Sequence, residues 1–66
     1  MLIYVNGEKK HFEQSCTLAQ LLTRFELKPQ GVVVERNRTI VKAEDLERVR
    51  IEPEDVIEIV RFVGGG

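Results

Sequence analysis

Thr17-Leu18-Ala19-Gln20-Leu21-Leu22-Thr23-Arg24-Phe25, TLAQLLTRF, is the stretch of this 66-residue chain whose apolar spacing calls for a helix. Leu18, Leu21, Leu22 and Phe25 fall at i, i+3, i+4 and i+7, one stripe of an amphipathic helix. Thr17 and Gln20 fit a capping box, in which the hydroxyl accepts from the Gln20 amide while Gln20 reaches back. Cys16 before the cap and Leu21 after it suit the accompanying hydrophobic staple. Pro29 and Gly31 stop the run. The spacing therefore predicts one helix of about three turns with a single face to bury. The rest of the chain must supply what that face covers.

Working outward, the N-terminal side reads as a hairpin. Leu2 to Val5 is short and apolar, Asn6-Gly7 is the pair favoured in type I′ turns, and Glu8 to Glu13 returns with Phe12 as its large apolar side chain. Beyond the helix, Val32-Val33-Val34-Glu35 is β-branched and reads as a central strand. Asn37-Arg38 makes a turn, Thr39-Ile40-Val41 a short strand, and Lys42 to Arg48 a helical turn. Pro53-Glu54-Asp55 then turns the chain into the last strand, Val56 to Phe62. The order hairpin, helix, strand, short strand, helical turn, strand predicts an α+β chain. Its one main helix packs on one face of a mixed sheet of four or five strands, the order of the ubiquitin-like β-grasp fold. Residues 1–63 form this domain and 64–66 a flexible glycine tail. The expected core is Ile3, Val5, Leu18, Leu21, Leu22, Phe25, Val33, Leu46, Ile57 and Ile59.

Composition narrows the function classes. A formal charge of −1 gives no basic excess with which to release counterions from nucleic acid. No apolar run approaches the roughly 20 residues that span a bilayer. MLIYVNGEKK shows no basic leader, long apolar stretch or cleavage site, and Cys16 is alone. The cytoplasm is the expected compartment. No metal site, no phosphate-binding glycine loop and no catalytic constellation is expected. Cys16 reads as the staple rather than as a persulfide carrier, and His11 as a surface residue. Glu52, Glu54, Asp55 and Glu58 read as a solvated acidic face.

The last strand and its tail carry the functional signal. If Ile57 and Ile59 face the helix, then Glu58, Val60 and Phe62 face the other way, onto a side that one helix leaves bare. Val60 and Phe62, joined by Tyr4 from the neighbouring strand, are the candidate docking residues. Gly64 and Gly65 lack Cβ atoms and can thread a narrow channel. At about 3.3 to 3.6 Å per residue, the three glycines reach roughly 10 Å. Gly66 would then present a carboxylate to a partner's active site. A carboxylate is a poor electrophile that adenylation by ATP activates. The chain has no ATP site of its own, so a partner enzyme must provide one and the domain is substrate rather than catalyst.

YVNG at 4–7, TLAQLL at 17–22, GVVVERN at 31–37 and above all DVIEIVRFVGGG at 55–66 resemble the ThiS family, the sulfur carriers of thiamine biosynthesis. The resemblance spans essentially the whole chain. It implies that Gly66 is adenylated by a ubiquitin-activating-like (ThiF-like) enzyme and converted to a thiocarboxylate with sulfur from a donor protein. The sulfur would then pass to a ThiG-like thiazole synthase. A free monomer with no bound cofactor is the default expectation, with ATP used by the partner activating enzyme. Gly65 and Gly66 match the family's terminal Gly-Gly, and Gly64 extends it by one. Glu35-Arg36-Asn37-Arg38 is more basic than the family's usual turn, a departure that bears on partner contacts. Three other readings stay open: a molybdopterin-synthase small-subunit-like carrier, a ubiquitin-like modifier, and a β-grasp binding module with an inert tail.

Overall fold

The computed structural model describes residues 1–62. The tail glycines and the end of the domain at residue 63 lie outside the described residues. The elements are β1 (Leu2–Val5), β2 (Glu8–His11), α1 (Leu18–Arg24), β3 (Val32–Arg36), β4 (Thr39–Val41) and β5 (Val56–Arg61). Short 3₁₀ turns at Pro29–Gly31 and Ala43–Asp45 link them. The sheet runs β2-β1-β5-β3-β4. β1 and β5 are parallel, and every other neighbouring pair is antiparallel. This is the mixed five-stranded sheet with one helix expected from the element order. β5, rather than β3, is its central strand.

Turn chemistry closes both hairpins. Asn6 and Gly7 take φ of 49° and 83°, and Asn37 and Arg38 take 51° and 72°, the left-handed pairs that a type I′ turn needs. The helix begins as its sequence dictates. The Gln20 N–H donates to Thr17 Oγ1 at 3.1 Å and the Thr17 N–H donates to Gln20 Oε1 at 2.8 Å. Cys16 and Leu21 are both buried in the core, as the staple requires. The helix is shorter than its apolar stripe suggests: seven residues, about two turns. It stops at Phe25 because Glu26 turns left-handed (φ 59°) and its N–H bonds Thr23 O while Leu27 N–H bonds Leu22 O. That is a Schellman closure, which leaves Phe25 partly buried at the helix end.

Ile3, Val5, Leu18, Leu21, Leu22, Leu46, Ile57 and Ile59 are core residues as expected. Val33 is not. It sits on the sheet face away from α1, and Val32 and Val34 are buried instead. Register decides this: Val34 lies opposite Ile59, so Val34 shares its side of the sheet. β2 ends at His11, earlier than Glu13, which lets the chain turn Phe12 inward beneath the helix. Ile51 also enters the core from the loop before β5, where its N–H bonds Cys16 O at 2.9 Å.

Candidate functional site

β5 leads to the tail, and both of its ends are anchored by side chains. At its entry, Asp55 is only 5% exposed. Its Oδ2 accepts from Arg36 Nε at 2.7 Å and from the Glu52 N–H at 2.8 Å, and its Oδ1 accepts from Asn37 Nδ2 at 3.1 Å. Burial pushes the Asp55 carboxyl up. The hydrogen bonds from Arg36, the Glu52 amide and Asn37, together with the Arg36 charge, outweigh that and hold it below the usual aspartate range. Asn37 completes the anchor: its backbone N–H donates to Val56 O and its Oδ1 accepts from the Val56 N–H. Asp55 therefore departs from the solvated acidic face expected for it. Arg36 and Asn37 are engaged internally, so they are spent on the fold rather than held free for a partner.

Toward its exit, β5 outruns β1, whose chain turns away at Asn6. The Asn6 side chain then takes the place of the missing strand. Its Oδ1 accepts from the Ile59 N–H at 2.8 Å and its Nδ2 donates to Ile59 O at 3.3 Å. On the other flank, the Phe62 N–H donates to Gly31 O at 2.9 Å. The last described residues of the strand are thus held on both sides. This second role of Asn6 was not read from the sequence, where Asn-Gly signals only a turn.

The sheet face opposite α1 is bare and apolar. Val60 is 59% and Phe62 58% exposed, and Ile40 and Val56 are also exposed on β4 and β5. Val33 pairs directly with Val60. Tyr4 is on the same face and on the neighbouring strand, but it is level with Val56. Four residues further along a strand, Val60 lies roughly 13 Å away. Val60 and Phe62 are therefore brought together near the exit, while Tyr4 marks the opposite end of the face. Val33 is the neighbour of Val60 that sequence reading missed. A run of three valines conceals which one faces out. Gly64, Gly65 and Gly66 lie outside the described residues.

On the helix side, near the exit, a groove of about 390 Å³ opens between Asn6, Lys10, Phe25, Leu27 and Arg61. Its lining also includes Glu8, whose carboxylate pairs with the Lys10 ammonium at 3.4 Å. Among the described residues no group of three or more His, Cys, Asp or Glu side chains could hold a metal ion. No helix there is long and apolar enough to cross a membrane. This geometry presents a strand end beside an apolar face.

Residues 2–66 match the profile of the ThiS family. The chain belongs to that family. It is 38% identical over 66 residues to the sulfur carrier protein ThiS of Bacillus subtilis, covering 98% of this chain and all of that one. It is also 39% identical to a thiazole synthase of Magnetococcus marinus, where the match takes in this whole chain but only 20% of the relative's length. A thiazole synthase of Paramagnetospirillum magneticum shows the same relation at 38% identity and 20% coverage. The chain thus spans about a fifth of the length of these two relatives. In three dimensions it superposes on the crystal structure of the thiamine biosynthesis protein ThiS from Geobacter metallireducens with a TM-score of 0.85. That match has 26% identity and covers both chains in full. The β-grasp architecture is the family's own.

Proposed function

We propose that this protein is a sulfur carrier for thiazole formation in thiamine biosynthesis, a protein co-substrate rather than an enzyme. The observation that carries the reading is the match along the whole length of the Bacillus subtilis carrier. It is supported by an apolar sheet face beside a β5 exit braced by Asn6 and Gly31. Where Gly66 is presented as a free C-terminus, its carboxylate attacks the α-phosphate of ATP in a ubiquitin-activating-like partner and releases pyrophosphate. The terminal sulfur of a donor protein's persulfide then displaces AMP to form an acyl disulfide, and a thiol reductant cleaves its S–S bond, which leaves the carbonyl as a thiocarboxylate and the donor's sulfur in a new disulfide. Gly64 and Gly65 pass through the partners' channels, and Val60 and Phe62 seat the domain so that the tail points correctly.

A ThiG-like thiazole synthase receives the sulfur. Its place in the cycle is supported by the two thiazole synthases that carry a segment matching this chain within their own sequence. The cytoplasm, where ATP is available and Cys16 stays reduced, is the proposed compartment. The carrier itself holds no cofactor.

The test is intact-mass analysis after incubation with ATP, the activating enzyme and a sulfur donor. The expected product carries the oxygen-to-sulfur mass increase at its C-terminus. A variant extended by one residue beyond Gly66 should show none. Thiocarboxylate on the extended protein refutes the reading, whereas conjugate ladders on other proteins would identify a modifier.

A further inference from the structure

The open sheet face contains a charge arrangement that its apolar character does not explain. Glu35 on β3 and Glu58 on β5 are direct cross-strand partners. Both point away from α1, because Val34, Ile57 and Ile59 beside them are buried. Like charges opposed at the ~4.5–5.5 Å Cβ separation of paired strands destabilise a sheet. Among the described residues neither carboxylate joins an ion pair. Apolar groups surround them: Ile40 pairs with Glu35, Val33 and Val60 form the row on one side, and Val56 lies on the other. Cations keep to the margins, with Lys9 beyond Tyr4 on the outer strand and Lys42 following β4.

We propose that this face receives a protein surface that sets an arginine or lysine between Glu35 and Glu58, ringed by apolar side chains that meet Ile40, Val56, Val60 and Phe62. The inference rests on the reading of this face as the docking surface, and the occupant it names is the thiazole synthase, whose relatives include chains that contain a matching segment. A wholly apolar cover would strip water from two charges without compensation. A planar guanidinium between them answers both carboxylates with charge-assisted hydrogen bonds. A second copy of this chain is disfavoured for the same reason, since two such faces together would oppose four carboxylates. The pair therefore selects for a cationic partner and against self-association, at some expense to the free domain.

The experiment uses the full chain and the thiazole synthase of the same organism, with titration calorimetry at low and high salt. The double variant Glu35→Gln/Glu58→Gln should melt no lower than the parent, because repulsion is relieved, so any lost binding is not misfolding. It should bind tenfold or more weakly at low salt and lose most of its salt dependence. The comparison variant Val60→Ser/Phe62→Ser should lose binding while salt dependence remains in whatever is left. Unchanged affinity in the glutamine variant alongside lost binding in the serine variant overturns this inference and leaves the docking face standing. Parent-like binding by the serine variant removes the docking face, and the inference with it. A glutamine variant impaired only toward the activating enzyme, or a parent chain that sediments as a dimer, rejects the occupant named.

Discussion

Glu26 shows how much a single position can hold. It is the left-handed residue after α1, at φ 59°, where a side chain is tolerated rather than favoured. Its amide and that of Leu27 cap the helix through Thr23 O and Leu22 O. Glycine reaches this conformation without steric cost but also gains freedom in the unfolded chain. Glu26→Gly is expected to stabilise the domain by about 0.5–1 kcal/mol net. For a domain of this size that raises the melting temperature by a few degrees, roughly 4–8 °C per kcal/mol, readable by thermal circular dichroism. Both hairpin turns were legible as turns, Asn6-Gly7 by its type I′ chemistry and Asn37-Arg38 by its place between two strands, while the left-handed pair at Asn37 and Arg38 came from the structure. Glu26 was not legible, since nothing in glutamate's chemistry marks a left-handed position.

At the scale of the element, β3 is the instructive case. Val32, Val33 and Val34 are chemically identical, so period-2 reading cannot choose the buried pair. Pairing with β5 chooses it: Val34 opposes Ile59 beneath α1, and Val33 opposes Val60 on the open face. Val34→Ala should therefore cost about 2 kcal/mol through lost burial and a residual cavity. Val33→Ala should cost less than about 1 kcal/mol, as substitutions outside a core do. Urea midpoints of the two variants measure the difference, and equal losses would contradict the register. The helix stripe, the capping box and the alternation of β5 were all readable, because each is a local pattern with one physical solution.

The whole molecule depends on polar groups that join distant segments. Asp55 gathers Arg36 and Asn37 from the β3–β4 hairpin and the Glu52 amide from the preceding turn, fixing where β5 enters the sheet. Its carboxyl is held below its unfolded value of 3.8, so the folded state binds this proton less readily than the unfolded chain does. The stability it contributes is fully present above that unfolded pKa and is lost as pH falls from there through the lower folded value. Asp55→Asn should remove this acid dependence. At neutral pH it should cost about 2 kcal/mol, below the range for fully buried pairs because the Arg36 side chain is partly exposed. Urea unfolding of both proteins at pH 7 and pH 3 tests the sign: the gap between them should narrow on acidification, and a gap that widens contradicts it.

Local chemistry decided the elements of this protein, its two hairpin turns, the capped helix and the family signature that ends in DVIEIVRFVGGG. These follow from steric and periodic rules that act within a few residues. Tertiary structure alone decided which valine of β3 faces the open side, that Asp55 is an internal anchor, and that Asn6 stands in for a strand beside Ile59. It also set Tyr4 at the far end of the open face and Glu35 opposite Glu58. Each of these depends on strand register, and register is fixed by the simultaneous burial of side chains far apart in the chain.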